Sequence, residues 1–479
     1  VQKTEYDAIV VGSGPNGLAA AITLQQQGLS VLLIEGKKEI GGGMRTKALT
    51  LPGFMHDVCS AVHPMAVLSP FLKSLSLENY GLELIQPTFA AAHPFDDGTA
   101  GILDRSIEKT AGGLGKDREA YLRFMSPVVR DLPKLLPDLL GPFPMPKYPL
   151  ALAGFGLKAL PSATWLAKRF QTREAKGLWA GMAAHAIQPL ENLTTSAIGI
   201  MLMAAAHVAG WPIPKGGSQS IADALTALFI SLGGTVQTDF PVRALSDLPS
   251  AKVVLFDVTP KQLIAIAGDR LSSSYISRLQ KYRYGMGVFK IDWALSEPIP
   301  FTAEACRAAG TVHLGNTLED IAAAEKMTSL GNQSQKPYVL LSQPSVFDNT
   351  RAPAGKHTGW AYCHVPNGSK EDMTGAIENQ VERFAPGFKD LILGRSTMNT
   401  AQIEDYNPNY VGGDINGGIQ DIFQLYTRPI LSASPYRTSA EGIYICSSST
   451  PPGGGVHGMC GYHAAKQALK DVFKIKITK

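Results

Sequence analysis

Residues 6–11, "YDAIVV", form a nearly unbroken apolar run, the pattern of a strand covered on both faces. Beyond it the apolar period lengthens, which predicts an amphipathic helix to about Gln27. A second apolar strand, Val31–Ile34, ends at Glu35. "GMGVFKIDWAL", "GTVHLG" and "PYVLLSQPS" are strand-like, apolar and rich in β-branched or aromatic residues. "AKVVLFDVTP" reads as a further strand. Near the C-terminus the turn "TPPGGGVHG" runs into a stretch with helical pattern. Residues 192–214 lack Asp, Glu, Lys and Arg over a length that spans a bilayer. Their apolar centre, "AIGIMLMAAA", is short and flanked by Thr194, Thr195, Ser196 and His207, so a buried helix is expected.

At 479 residues the chain exceeds one ordinary core, and two domains are expected. Charged residues are only 18% against 45% hydrophobic, which fits a large core or a greasy binding surface. A net charge of +4, with no basic run, argues against nucleic-acid binding. Cys59, Cys306, Cys363, Cys446 and Cys460 are scattered and contain no CxxC. That spacing suits reduced thiols in a cytoplasmic-type compartment, not a disulfide framework or a zinc site. "VQKTEYD" passes straight into a strand, so no signal peptide is expected.

The first loop carries the strongest chemistry. Gly12, Gly14 and Gly17 stand in G-x-G-x-x-G register, with Pro15 and Asn16 between the last two. Gly12 permits the tight turn, Gly14 lets the backbone approach a pyrophosphate, and Gly17 lets helix pack on strand. The helix N-terminus offers free N–H groups and a positive dipole end. Glu35, eighteen residues beyond Gly17 and followed by Gly36, is placed to accept from an adenosine ribose. A strand before, a helix after and the acid at this distance make a dinucleotide site, for NAD or FAD.

"GKKEIGGGMRT" then resembles the FAD-dependent family that contains amine oxidases and phytoene desaturases. In that family a GG-x-x-x-[ST] segment lies along FAD, and Gly41, Gly42 and Thr46 match it. The resemblance implies that Gly42, Gly43, Met44 and Arg45 line the cofactor. Amine oxidases usually carry Arg where this chain has Gly43. "GWPIPKGGSQSIADALTALFISLGGTVQTDFPVRAL" is similar to the family's middle element, with strands at Thr235–Gln237 and residues 242–245 and the adenine near Val242. "GIYICSSS" and the turn after it resemble the desaturases' last segment, which implies that Gly455, Val456, His457 and Gly458 face the flavin region. "PGFMHDVCSAVHP", "AGTVHLG" and "STPPGGGVHGMCG" resemble the branch containing pyridine nucleotide-disulphide oxidoreductase domain-containing protein 2.

The expected fold is therefore α/β: a Rossmann-like FAD-binding domain built from residues 1–85, 205–275 and 435–479. Residues 86–204 and 276–434 would form an α+β substrate domain with a mixed sheet. The resemblance implies hydride transfer between flavin N5 and a hydrophobic, polyene or isoprenoid-like substrate, with quinone or oxygen as electron acceptor. A flavin amine oxidase, an isomerase or saturase, and a non-catalytic FAD-binding partner protein are the alternatives.

Proton-transfer candidates are few. His457 sits in the glycine turn, and His63 and Asp57 follow the GG segment; each has a bland alternative as a turn or packing residue. His313 alternates with apolar neighbours and reads as a sheet-face histidine. No metal site is expected. Residues 132–170 combine Pro, Leu and aromatics with Lys134, Lys147, Lys158, Lys168 and Arg169. They read either as a peripheral membrane entrance for a lipophilic substrate or as a solvated loop with short helices.

Overall fold

The strand Tyr6–Val11 is apolar throughout because helices cover both faces of its sheet. Ala8 and Val10 pack with Leu18, Leu225 and Ala464 on one side, while Ile9 and Val11 pack with Leu263 and Leu279 on the other. The computed structural model describes residues 5–142 and 146–477. In it, five parallel strands lie in the order Ile443–Ile445, Ala251–Phe256, Tyr6–Val11, Val31–Ile34, Thr235–Gln237. Start, middle and end of the chain thus share one Rossmann-like sheet. The first helix, Pro15–Gln25, and the last, Met459–Ala468, pack side by side on it.

The second sheet has seven strands in the order Ile392–Met398, Gly287–Leu295, His357–Val365, Val339–Ser342, Ala309–Leu314, Phe89–Pro94, Ala100–Leu103. Every pair is antiparallel except Ala309–Leu314 with Phe89–Pro94, so the sheet is mixed. Period-two alternation divides its faces. Ile291, Trp293, Leu341, Ala361 and Cys363 face a core closed by the helix Thr374–Phe384. Their neighbours Lys290, Asp292, Thr311, His313, Leu340, Trp360 and Tyr362 share the opposite face.

Two expectations need correction. Residues 242–245 are not a strand, because the Asp247 carboxylate accepts the Arg243 and Ala244 N–H groups that a sheet ladder would have used. Residues 132–139 are not a loop but close the helix Arg118–Leu139, despite Pro127, Pro133 and Pro137 within it. Buried Leu132, Leu135 and Leu136 anchor that turn, so tertiary packing outweighs the proline penalty. Lys158 and Arg169 of the same segment each lie over the Phe124 ring. Residues 143–145 of the same segment lie outside the described residues. Residues 192–214 do contain a largely buried helix, Thr195–Ala209. No single helix among the described residues is long and apolar enough to cross a membrane.

Candidate functional site

A cavity of about 750 Å³ opens at the carboxyl ends of the parallel strands and continues to the polar face of the mixed sheet. That strand edge is where open α/β sheets place ligands. Gly12, Gly14, Pro15, Asn16, Glu35 and Gly36 line it, as do Gly42, Gly43, Arg45 and Val242. Gly455, Val456, His457 and His63 complete the sequence-predicted set that reaches it. Gly17, Met44, Gly458 and Asp57 do not line it.

Gly17 acts one step back: a Cβ there would lie 1.9 Å from the Gly12 carbonyl oxygen. Helix and strand meet with no room for a side chain, which holds the N-terminus of Pro15–Gln25, whose N-cap residue is Gly14, at the cavity edge. Gly42 presses on the same turn, since its Cβ would fall 2.9 Å from Gly14 Cα. Met44 is a buried packing residue. Gly458 packs against Ala19 and Pro15 of the first helix, so its closeness serves helix contact.

Glu35 is nearly buried, and both carboxylate oxygens are engaged. Oε2 accepts from Ser13 N–H (3.1 Å) and Ser13 Oγ–H (2.5 Å). Oε1 accepts from Lys37 N–H at 2.9 Å and pairs with Arg45 Nη2 at 3.1 Å. A ribose hydroxyl would bind here by displacing the Ser13 hydroxyl or Arg45. Arg45 also lies over the Tyr406 ring, 5.4 Å from its centroid. The Gly43 departure from the amine-oxidase pattern has a steric cause: a Cβ there would be 2.3 Å from Tyr410 Oη.

His63 and His457 are neutral and locally tied. Ser218 Oγ–H donates to the Ser60 carbonyl, so the 2.8 Å contact with His63 is a donation from His63 Nε2–H. His63 Nδ1 is then a buried lone pair with no partner, and burial lowers its pKa to about 4. His457 Nδ1 accepts from Met459 N–H at 3.0 Å, which makes it a turn-shaping residue. Burial lowers His457 to about 4 as well, partly offset by the backbone of Gly453 and Gly454. Asp57 does not fit the role of base. It is sealed against Arg351 and accepts from Thr46 and from Ser218 N–H.

Asp257 was missed by sequence reading, though an acid at the end of "AKVVLFD" was its signal. Its Oδ2 accepts from Gly17 N–H at 2.9 Å, at the N-terminus of the first helix. Burial, then the Glu35 charge, raise its pKa to about 7 against the pull of that N–H. The folded-state value is raised, so the stability linked to this group is fully present below the unfolded value of 3.8 and is lost as pH rises through about 7. Deprotonation also places a negative charge beside the phosphate turn. We expect affinity for FAD to weaken about tenfold from pH ~6 to ~8. Asp257→Asn should flatten that dependence in equilibrium titrations; an unchanged profile in the variant would refute the assignment.

Aromatic groups line the cavity from two further places, Trp360 with Tyr362 and Tyr406 with Tyr410. Trp360 and Tyr362 alternate along one strand and meet edge to face at 5.4 Å. Their W-x-Y spacing within "HTGWAYCHV" was the available signal. Ile198, Met201, Leu202 and Leu340 add an apolar chamber beside them.

The arrangement fits FAD: a helix N-terminus and paired glycine turns at one end, an aromatic and apolar chamber at the other. A sequence profile for the NAD(P)-binding Rossmann-like domain matches residues 10–75. The chain is 26% identical to mouse pyridine nucleotide-disulfide oxidoreductase domain-containing protein 2, across 98% of this chain and 94% of that one. It is 24% identical to a lycopene-forming phytoene desaturase of a Paracoccus species, across 95% of each. A putrescine oxidase variant shares the fold at a TM-score of 0.62 and 17% identity, over 98% of this chain and 99% of that one. With its cofactor cleft and mixed sheet, the chain is an FAD-type oxidoreductase, similar in sequence to the phytoene desaturases and in fold to the flavin amine oxidases.

Proposed function

We propose that the protein moves a hydride between a C–H bond of a hydrophobic, polyene or isoprenoid-like small molecule and the flavin. The observation that carries this is the continuity of the cofactor cleft with the apolar chamber of Met201, Leu202, Leu340 and Trp360. Bound FAD supplies the hydride acceptor at its N5 position. The chain's own residues hold and orient. Gly12, Gly14, Pro15 and Asn16 would receive the pyrophosphate, Glu35 the ribose and Val242 the adenine side. Gly42, Gly43 and Arg45 would lie along the cofactor, with Gly455, Val456 and His457 closing the opposite edge. The chamber walls exclude water, and the free His63 Nδ1 lone pair is the group available to take a proton. Residues 1–85, 205–275 and 435–479 carry the cofactor in this reading, and 86–204 with 276–434 shape the substrate side. Quinone or oxygen would reoxidise the flavin.

Access from a membrane surface is part of the proposal. The helix Pro149–Ala159 contributes Phe155 to the cavity and leaves Leu150 88% and Leu157 77% exposed. Trp165 is also exposed nearby in sequence, with Lys147 and Lys168 as exposed cations. Against the amine reading, Glu35 and Asp257 are the carboxylates lining the cavity among the described residues, and both lie at the cofactor end. A cationic amine would find aromatic faces but no counterion at the chamber wall.

Anaerobic mixing with isoprenoid polyenes, retinoids and amines, followed by flavin absorbance, tests the reading. Bleaching by a polyene or retinoid is expected. Bleaching by amines alone would replace it with amine oxidation.

A further inference from the structure

The chamber wall carries polar groups that the proposed roles leave unused. His185 lines the cavity, and its Nε2 lies 3.0 Å from Nε2 of His313 on the strand Ala309–Leu314. His313 is wholly buried and its Nδ1 has no partner. An orphaned buried N–H is rarer than an orphaned lone pair, so the His313 proton belongs on Nε2 and is donated to His185. The proton of His185 then sits on Nδ1, for which the described residues provide no acceptor. Burial holds His185 to about 3 and His313 well below its ordinary value, so both rings stay neutral.

Two neighbours on the same sheet face repeat the pattern. Thr311, two residues before His313, has an unpartnered Oγ1, and Trp360 has an unpartnered Nε1. Both residues line the cavity, and both are nearly buried. Indole N–H is a donor only, and a threonine hydroxyl can donate. The wall therefore offers donors without acceptors, inside a chamber otherwise built from Met201, Leu202 and Leu340.

We infer that the chamber selects a lipophilic substrate bearing an oxygen function, whose oxygen accepts a hydrogen bond from His185 Nδ1–H. Thr311 and Trp360 are the further donors on that wall. The inference rests on the proposed function, because it names the substrate class for the same chamber. A bare hydrocarbon would leave these donors unpaired, and a site built to hydrogen-bond an oxygen discriminates against the analogue that lacks it. His313 is a positioning residue, since it acts by fixing the His185 tautomer.

Calorimetric titration of the FAD-loaded protein without oxygen tests this, using farnesene, farnesol, farnesal and farnesoic acid. At least one oxygenated ligand is expected to bind ten times or more tighter than farnesene. The tightest of them identifies the oxygen function. His185→Phe should erase the preference while farnesene affinity stays within about twofold. His185→Asn, which keeps a donor, should restore part of it. If His185→Phe fails to load FAD, the near-isosteric Thr311→Val should still reduce the preference. Equal affinity for all four ligands, or a preference untouched by both variants, overturns the inference while leaving the lipophilic reading standing. No binding by any of them to loaded protein sinks both.

Discussion

Gly461→Ala is expected to cost about 3 kcal/mol of stability and most of the bound FAD, although Gly461 touches no part of the cavity. Its Cβ would lie 1.7 Å from the Asn16 carbonyl oxygen and 2.9 Å from Ala20 N. Both are backbone atoms of the first helix, so no side chain can yield. The last helix must lift off the first, and Pro15 and Asn16, which line the cavity, move with it. Gly154→Ala is the control, because a Cβ there meets nothing within 4 Å in the helix Pro149–Ala159. That change should be neutral or stabilise by up to about 1 kcal/mol. Denaturant unfolding of both variants, with flavin absorbance for occupancy, makes the comparison. Equal stability for the two would show that the close helix contact is not what the C-terminal glycines serve.

The same contact shows what was legible in the sequence. The unit from Tyr6 to Glu35 is local: strand, turn, helix, strand and acid follow one another, so period and glycine spacing suffice to describe it. The pairing of chain ends was expected only by resemblance, and its physical reason differs in part from the expected one. Gly454 and Gly455 do reach the cavity, but Gly458 is spent on helix packing, which a glycine-rich string does not distinguish from cofactor approach. The chamber wall was still harder to see. Thr311, His313, Leu340, Trp360 and Tyr362 share a face only after three strands have paired in a particular register. His185 joins them from a turn 128 residues before His313. In sequence, His313 was a sheet-face histidine and nothing more. Asp57 marks the opposite failure: two histidines nearby suggested proton chemistry, whereas its partner Arg351 lies 294 residues away.

Arg351→Ala is expected to be the most damaging single change outside the cavity, at about 3–5 kcal/mol. Both Arg351 and Asp57 side chains are fully buried, and the guanidinium also donates through Nε to the Met55 carbonyl at 3.2 Å. Burial alone would raise the Asp57 pKa, but Arg351, Ser218 N–H and Thr46 outweigh it and hold the value below 3.8. A lowered carboxylate contributes stability above its unfolded pKa and loses it as pH falls through the folded one. Removing Arg351 leaves that charge uncompensated in the interior, so the variant should keep a neutral Asp57 and lose this acid-side dependence. The damage should reach the cofactor, because Asp57 binds Thr46 Oγ1 at 2.7 Å and Ser218 N–H at 2.8 Å. Those contacts tie the segment carrying Arg45 to the turn before the helix Gln219–Ser231, where Ser218 also receives His63. Replacing both partners, Arg351→Met with Asp57→Leu, removes the buried charges together and should recover at least half of the single-variant loss. Urea titrations of wild type, both single variants and the double variant give the coupling energy. A loss below about 1 kcal/mol for Arg351→Ala would mean that the pair is solvated and that the GG segment is held by something else.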